Sequence, residues 1–77
     1  MNMNKNITIY SKAGCAQCRA TKRWLDTAGV EYNEVRVDLD TDELQKVKAM
    51  GFTSLPVIVA DGIKPFFGFR PDILEGL

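Results

Sequence analysis

Ile7 and Ile9 alternate with Thr8 and Tyr10, and all four favour extended chain. Residues 6–10 therefore predict a strand with both isoleucines on one side. Residues 11–14 are small and polar and end in Gly14, which reads as a turn. The hydrophobic period then lengthens. Cys18, Thr21, Leu25 and Ala28 recur on one helical stripe with Trp24 beside it, within a run of good helix formers. This predicts a helix from Cys15 or Ala16 to Thr27, stopped by Gly29 as a C′ glycine. A second alternation sets Val35, Val37 and Leu39 against Glu34, Arg36 and Asp38. It predicts a strand over 31–39 with a solvated face or an edge position. Asp40 and Glu43 have capping-box spacing at the start of a second helix. That helix runs to about Met50, is apolar at Leu44, Val47 and Met50, and ends at Gly51.

After the loop 52–55, Pro56 leads into an unbroken apolar run, 57–60. Asp61-Gly62 predicts a two-residue hairpin turn returning a short strand over 63–66. Pro65 within that strand confines it to an edge. Phe67, Gly68 and Phe69 read as a bend, and Pro71 fits the N1 position of a short last helix. Ile73, Leu74 and Leu77 can dock that helix on the sheet. The order is strand, helix, strand, helix, strand, strand, helix. It predicts an α/β domain: a four-stranded mixed sheet flanked by three helices. The first β-α-β unit is expected to be parallel and right-handed, and the last two strands to form an antiparallel hairpin. No linker, repeat or low-complexity stretch divides residues 1–77, so a single domain is expected.

Composition narrows the function. The chain has 77 residues, of which 45% are apolar, so a packed core is expected and a disordered chain is not. A domain this short buries only about 60–65% of its unfolded surface, and its core is marginal. No apolar run approaches the length of a membrane span. The first ten residues lack the long apolar region of a secretory leader, so no signal peptide is expected there. The formal net charge is zero, which argues against nucleic-acid binding. Histidine is absent, which removes Cys-His and Ser-His nucleophile pairs and most zinc sites.

The remaining chemistry lies in the two cysteines, Cys15 and Cys18. A bridge between them closes a very short loop, the kind that constrains an unfolded chain least. The pair is therefore poorly placed as a staple. A C-x-x-C beside a β-α-β pattern reads instead as a redox motif. Cys15 falls at a helix N-terminus, where unpaired backbone N–H groups and the helix dipole favour a thiolate. Cys18, one turn on, can attack a mixed disulfide held by Cys15. The expected roles are Cys15 as nucleophile and Cys18 as the more buried resolving thiol. Inert core thiols and a metal site are the competing readings; two cysteines without histidine would bind metal only across two chains or with an added thiol.

The surroundings admit two readings each. Lys5, Lys12, Arg19, Lys22 and Arg23 crowd residues 1–23, while acids crowd 24–45. Either the fold disperses these charges, or the dithiol sits in a positive field. Lys12 either adds charge near Cys15 or is a solvated loop lysine. Pro56 either sets a strand entry or forms a cis bond that opens the Leu55 backbone beside the dithiol. Phe66, Phe67 and Phe69 cannot all face one core, so at least one is expected at the surface, where it would suit a protein interface. Tyr10 and Trp24 are expected to pack. Gln17 is expected to be an exposed first-turn residue, and Ala16 leaves little bulk over the thiol.

These motifs resemble the glutaredoxin-like NrdH-redoxin family of the thioredoxin-fold superfamily, from Ile7 to Leu77. Ile7-Thr8-Ile9-Tyr10-Ser11-Lys12 is similar to the family's first strand and loop. Cys15-Ala16-Gln17-Cys18 is similar to its C-x-Q-C site, Leu55-Pro56-Val57 to its cis-proline segment, and Gly68-Phe69-Arg70-Pro71-Asp72 to its G-F-R-P-D segment. The resemblance implies a thioredoxin/glutaredoxin-like fold and a thiol–disulfide oxidoreductase with no bound cofactor. It implies electrons from NADPH through thioredoxin reductase. The acceptor it implies is the large subunit of a class Ib ribonucleotide reductase, in the cytosol of a bacterium or a phage-infected cell. A monomer is expected, with partner contacts at Lys12, Ala16, Gln17, Leu55, Pro56, Phe67, Phe69 and Arg70. The chain lacks the C-P-Y-C, T-V-P and Gly-Gly-x-Asp segments of glutathione-binding glutaredoxins, which argues against strong glutathione use. It also has Phe66-Phe67-Gly68-Phe69 where the family often shows W-S-G-F. A glutathione-dependent glutaredoxin and a non-enzymatic metal or iron-sulfur carrier are the alternatives.

Overall fold

The structure is a computed structural model and describes residues 6–77; Lys5 and the rest of the first five residues lie outside it. The elements are β1 (Thr8–Ser11), α1 (Ala16–Thr27), β2 (Asn33–Arg36), α2 (Thr41–Ala49), β3 (Val57–Val59), β4 (Phe66–Phe67) and α3 (Pro71–Leu74). The expected order and class both hold. The strands lie in the order β2-β1-β3-β4. β1 pairs parallel with β2, from Thr8↔Asn33 to Ser11↔Arg36. It pairs antiparallel with β3, with Ile9 opposite Ile58, and β3 pairs antiparallel with β4.

Alternation along the central strands sorts the core onto two faces. Ile7, Ile9, Leu25, Ile58, Ala60, Phe66 and Leu74 form one buried cluster, which places α1 and α3 on that face. Val37, Val47 and Val57 form the other, under α2. Trp24 packs against the first cluster and Tyr10 against the second, as expected. Gly29, at φ +72°, follows α1 as the sequence pattern predicts. Pro71 opens α3 at its first turn.

Several boundaries differ from the sequence reading. Ser11 belongs to β1, not to the following turn, and its side chain is fully buried. β2 stops at Arg36, because its partner β1 runs out at Ser11; the Val37 amide donates to the Ser11 carbonyl (2.9 Å). The chain then turns, and Leu39 is 76% exposed rather than part of an apolar strand face. Ala28 and Met50, expected on buried stripes, are exposed. The Asp61-Gly62 turn forms, but no two-residue hairpin results. Pairing resumes only at Phe66, opposite Ile58, and Pro65 lies outside the strand. Pro65 has no N–H to give to a ladder. Phe67 is thus in β4, not in a bend. Asp40 caps α2 by accepting from the Glu43 amide (3.2 Å), but Glu43 turns its own carboxylate to Lys46, so the capping box is half closed.

Among the described residues no helix is long and apolar enough to cross a membrane.

Candidate active site

β1 delivers the chain through the turn 12–14, with Gly14 at φ +72°, to Cys15. Cys15 is extended (φ −96°, ψ 107°) and is the N-cap of α1; its sulfur accepts from the Cys18 amide at 3.1 Å. The first turn of α1 carries no acidic residue. A positive helix end without a neutralising carboxylate is the setting that favours a thiolate. Cys18 stands one turn further on and is 1% exposed, whereas Cys15 is half-buried. Their Cα atoms are 5.2 Å apart and the two sulfurs are joined in a disulfide.

Segments distant in sequence close around this pair. Cys15 Sγ lies 3.8 Å from the carbonyl oxygen of Leu55, and the Leu55–Pro56 bond is cis. Pro56 is buried and its carbonyl accepts from the Gly68 amide (2.9 Å). Gly68 has φ +84°, a conformation that favours glycine, and a Cβ there would stand 3.1 Å from Gln17 Oε1, so that side chain would have to give by a few tenths of an ångström. That same oxygen accepts from the Phe69 amide (3.1 Å). Gln17, expected as an exposed first-turn residue and a partner contact, is exposed and also ties α1 to the segment before α3.

Phe67 is the exposed aromatic, at 52%, and its ring stands 6.0 Å from that of Phe52. Phe66 is buried and Phe69 is half-buried against the core. Phe67 and Phe52 border a shallow hollow of about 460 Å³ that reaches Gln17 and Arg70. Phe52 also borders a second hollow of about 430 Å³ that ends at Leu55. Ala16 is exposed at the start of α1. Arg70 and Lys12 are exposed as well; Arg70 is committed to Asp72 through two hydrogen bonds (2.8 and 3.1 Å), and Lys12 makes no ion pair among the described residues. Leu55, beside the cis Pro56, thus reaches the dithiol itself, and Gln17 of the first turn of α1 links it to Phe69; Phe67 and Arg70 border the hollow beside Gln17, and among the described residues no contact joins Lys12 to the dithiol.

Two carboxylates near the site, Glu34 and Asp38, make polar contacts that were not read from the sequence. Ser11 donates to Glu34 Oε2 (2.6 Å), and Lys22 meets the same oxygen (2.7 Å). The Lys22 ammonium and the Ser11 hydroxyl hold the Glu34 carboxyl below its usual range. Asp38 accepts from the Ala13 amide in the active-site turn (3.3 Å) and is gripped by the Arg36 guanidinium (2.6 and 2.8 Å). The guanidinium and that amide hold its carboxyl well below the carboxylate range. Apart from the Arg36–Asp38 pair, two positions apart, these contacts join residues 12 to 25 positions apart and leave no local pattern. Phe52, a partly buried aromatic in a loop, is the one site residue missed in the sequence whose type and place could have drawn notice. Among the described residues no group of three or more His, Cys, Asp or Glu is arranged to hold a metal ion.

The glutaredoxin family profile matches residues 7–63. The chain is 43% identical over 72 residues to the glutaredoxin-like protein NrdH of Salmonella typhimurium, covering 94% of this chain and 88% of that one. It is 41% identical over 71 residues to the NrdH protein of Lactococcus lactis subsp. cremoris, covering 92% and 97%. Among solved structures it superposes on the glutaredoxin-like protein NrdH-redoxin from Escherichia coli, described by its thioredoxin-like activity profile. The TM-score is 0.89 at 38% identity, over 94% of this chain and 93% of that one.

Proposed function

The chain belongs to the glutaredoxin family, in its NrdH-redoxin branch, and on that premise we propose that it carries electrons, as a cytosolic single-domain monomer, from thioredoxin reductase to a ribonucleotide reductase. The protein is a thiol–disulfide oxidoreductase whose redox-active disulfide is Cys15–Cys18. In the proposed cycle the reduced protein presents Cys15 as a thiolate. It attacks one sulfur of the acceptor's disulfide, forming a mixed disulfide and releasing the acceptor's other sulfur as a thiolate. Cys18 loses its proton and attacks Cys15 Sγ, which frees the second acceptor sulfur. Two electrons have passed to the acceptor, and Cys15–Cys18 is oxidised. NADPH, through thioredoxin reductase, returns two electrons and the dithiol re-forms.

The observation that carries these roles is the asymmetry of the two sulfurs. Cys15 is half-buried at the helix start, with the Cys18 amide aimed at its sulfur, while Cys18 is enclosed one turn deeper. An accessible, dipole-stabilised thiolate attacks, and a protected neighbour resolves. The acceptor is proposed to be the large subunit of a class Ib ribonucleotide reductase, by analogy with the NrdH relatives. The reductase is proposed from the thioredoxin-like activity profile ascribed to the E. coli protein. Partner contact is proposed at Leu55, Pro56, Gln17, Ala16, Phe67 and Phe69, with Lys12 and Arg70 at the rim.

A coupled assay tests the reading. Oxidised protein is mixed with NADPH and thioredoxin reductase, with the ribonucleotide reductase disulfide as acceptor, and NADPH loss is followed. Rapid turnover is expected there, and slow turnover with glutathione and glutathione reductase. The reverse ranking would make the protein a glutathione-linked glutaredoxin.

A further inference from the structure

The turn 12–14 must hold Cys15 in place once the disulfide has opened and no longer pins it to α1. All three of its residues are exposed, so no core packing fixes it. Among the described residues one side chain bonds to its backbone: Asp38, which accepts from the Ala13 amide at 3.3 Å. Asp38 lies just past β2, where the Val37 amide has already gripped the end of β1 through the Ser11 carbonyl. Its carboxylate is not free to swing, because Arg36 donates to both oxygens, from Nε to Oδ1 and from a terminal nitrogen to Oδ2. Bidentate guanidinium pairs fix a carboxylate's plane as well as its position. Arg36 thus orients Asp38, and Asp38 holds Ala13, two residues before the sulfur.

We propose that Asp38 is a positioning residue for the redox reaction: clamped by Arg36, it holds the turn that delivers Cys15 to the start of α1. The inference rests on the reading that Cys15 is the attacking sulfur. With the tether in place, Cys15 keeps its extended N-cap conformation in the reduced protein and its sulfur stays over the Cys18 amide. Without it, the turn samples other conformations and the sulfur is presented only part of the time.

The test is the single-turnover reaction of reduced protein with 4,4′-dithiodipyridine, an uncharged small disulfide that needs no docking surface. Rates are read on the high-pH plateau, where the thiolate is fully formed; the remaining dependence of nucleophilicity on thiol pKa is shared by the Ala and Asn variants, which remove the same charge. Asp38→Ala and Asp38→Leu remove the acceptor. Asp38→Asn removes the same charge but keeps an acceptor oxygen. Loss of one hydrogen bond's worth of positioning slows the Ala and Leu variants roughly fivefold, and the Asn variant stays within about twofold of wild type. Arg36→Gln falls between, and adding it to Asp38→Ala slows the reaction no further, since both act through one contact. Melting temperatures are taken alongside, so that a rate difference between the Asn and Ala variants at equal stability is read as positioning. An Asp38→Ala rate within twofold of wild type overturns the proposal, as does an Asn variant as slow as the Ala variant. Cys15→Ser in the same assay separates the two readings. If it reacts as fast as wild type, the nucleophile assignment fails; if it is inert while Asp38→Ala is fast, only the tether fails.

Discussion

The starts of α1 and α2 are built alike and are suited to different ends. In each, an extended N-cap residue turns its side chain back onto the amide three residues on: Cys15 Sγ on Cys18 at 3.1 Å, Asp40 Oδ1 on Glu43 at 3.2 Å. At α2 the cap is a carboxylate, and Asp42 and Glu43 follow in the first turn. The positive helix end is answered by fixed negative charge, and the result is a stable terminus. At α1 the cap is a sulfur and the first turn has no acid. There the same amide and dipole remain available to a thiolate when the disulfide opens. A helix start thus supports stability or reactivity according to whether its charge is already met.

The largest effect expected from breaking this contrast is at the sulfur itself. Cys15→Ser lowers disulfide-reductase activity on the order of a thousandfold or more, because no other group supplies the nucleophile. Cys18→Ser leaves the first attack intact and accumulates a mixed disulfide, detectable by mass spectrometry as the summed mass of protein and acceptor. Next comes giving α1 the acidic first turn of α2. In Ala16→Asp a carboxylate placed beside Cys15 raises the thiol pKa by about one unit. The reaction with a small disulfide then slows by up to about tenfold at neutral pH and recovers in alkali. The converse change is smaller and of a different kind. Asp40→Ala costs about 1 kcal/mol, lowering the melting temperature by about 4–8 °C, with thiol kinetics unchanged.

The smallest effect is at the flank of α1, where Lys22 and Ser11 share the Glu34 carboxylate. Glu34 titrates lower in the folded protein than in the unfolded chain. Its contribution is therefore full above the unfolded value near pH 4.3 and is lost as pH falls through the folded value. In acid denaturation monitored by circular dichroism, Glu34→Gln has a shallower loss of stability below about pH 4–5 than wild type. The Lys22–Glu34 pair is partly solvated, so the difference is modest.

What the sequence made legible follows the range of the interactions. The handover from β1 to α1, the Gly29 stop, the Asp40 cap and Pro71 at the first turn of α3 are decided by neighbours a few residues away, and local patterns carry them. The length of β2 is decided by where β1 ends, so the alternation through Leu39 ran past the last rung. The hairpin failed for a related reason: Asp61-Gly62 makes its turn, but the register Ile58↔Phe66 leaves Ile63 to Pro65 outside the ladder. In the site, the dithiol was readable because both sulfurs lie within one helical turn. The Gln17–Phe69 bond spans 52 positions and the Asp38–Ala13 bond 25, and neither residue's type announces its partner.

The central claim is that the helix start makes Cys15, and not Cys18, the reactive sulfur. Site-resolved alkylation of the reduced protein tests it directly: limited reaction with iodoacetamide across a pH series, with each cysteine quantified by mass spectrometry. The account predicts that Cys15 is modified first at every pH, with a midpoint below the free-thiol value of about 8.5, while Cys18 stays protected. Equal labelling of the two thiols, faster labelling of Cys18, or a Cys15 midpoint at or above the free-thiol value would contradict it.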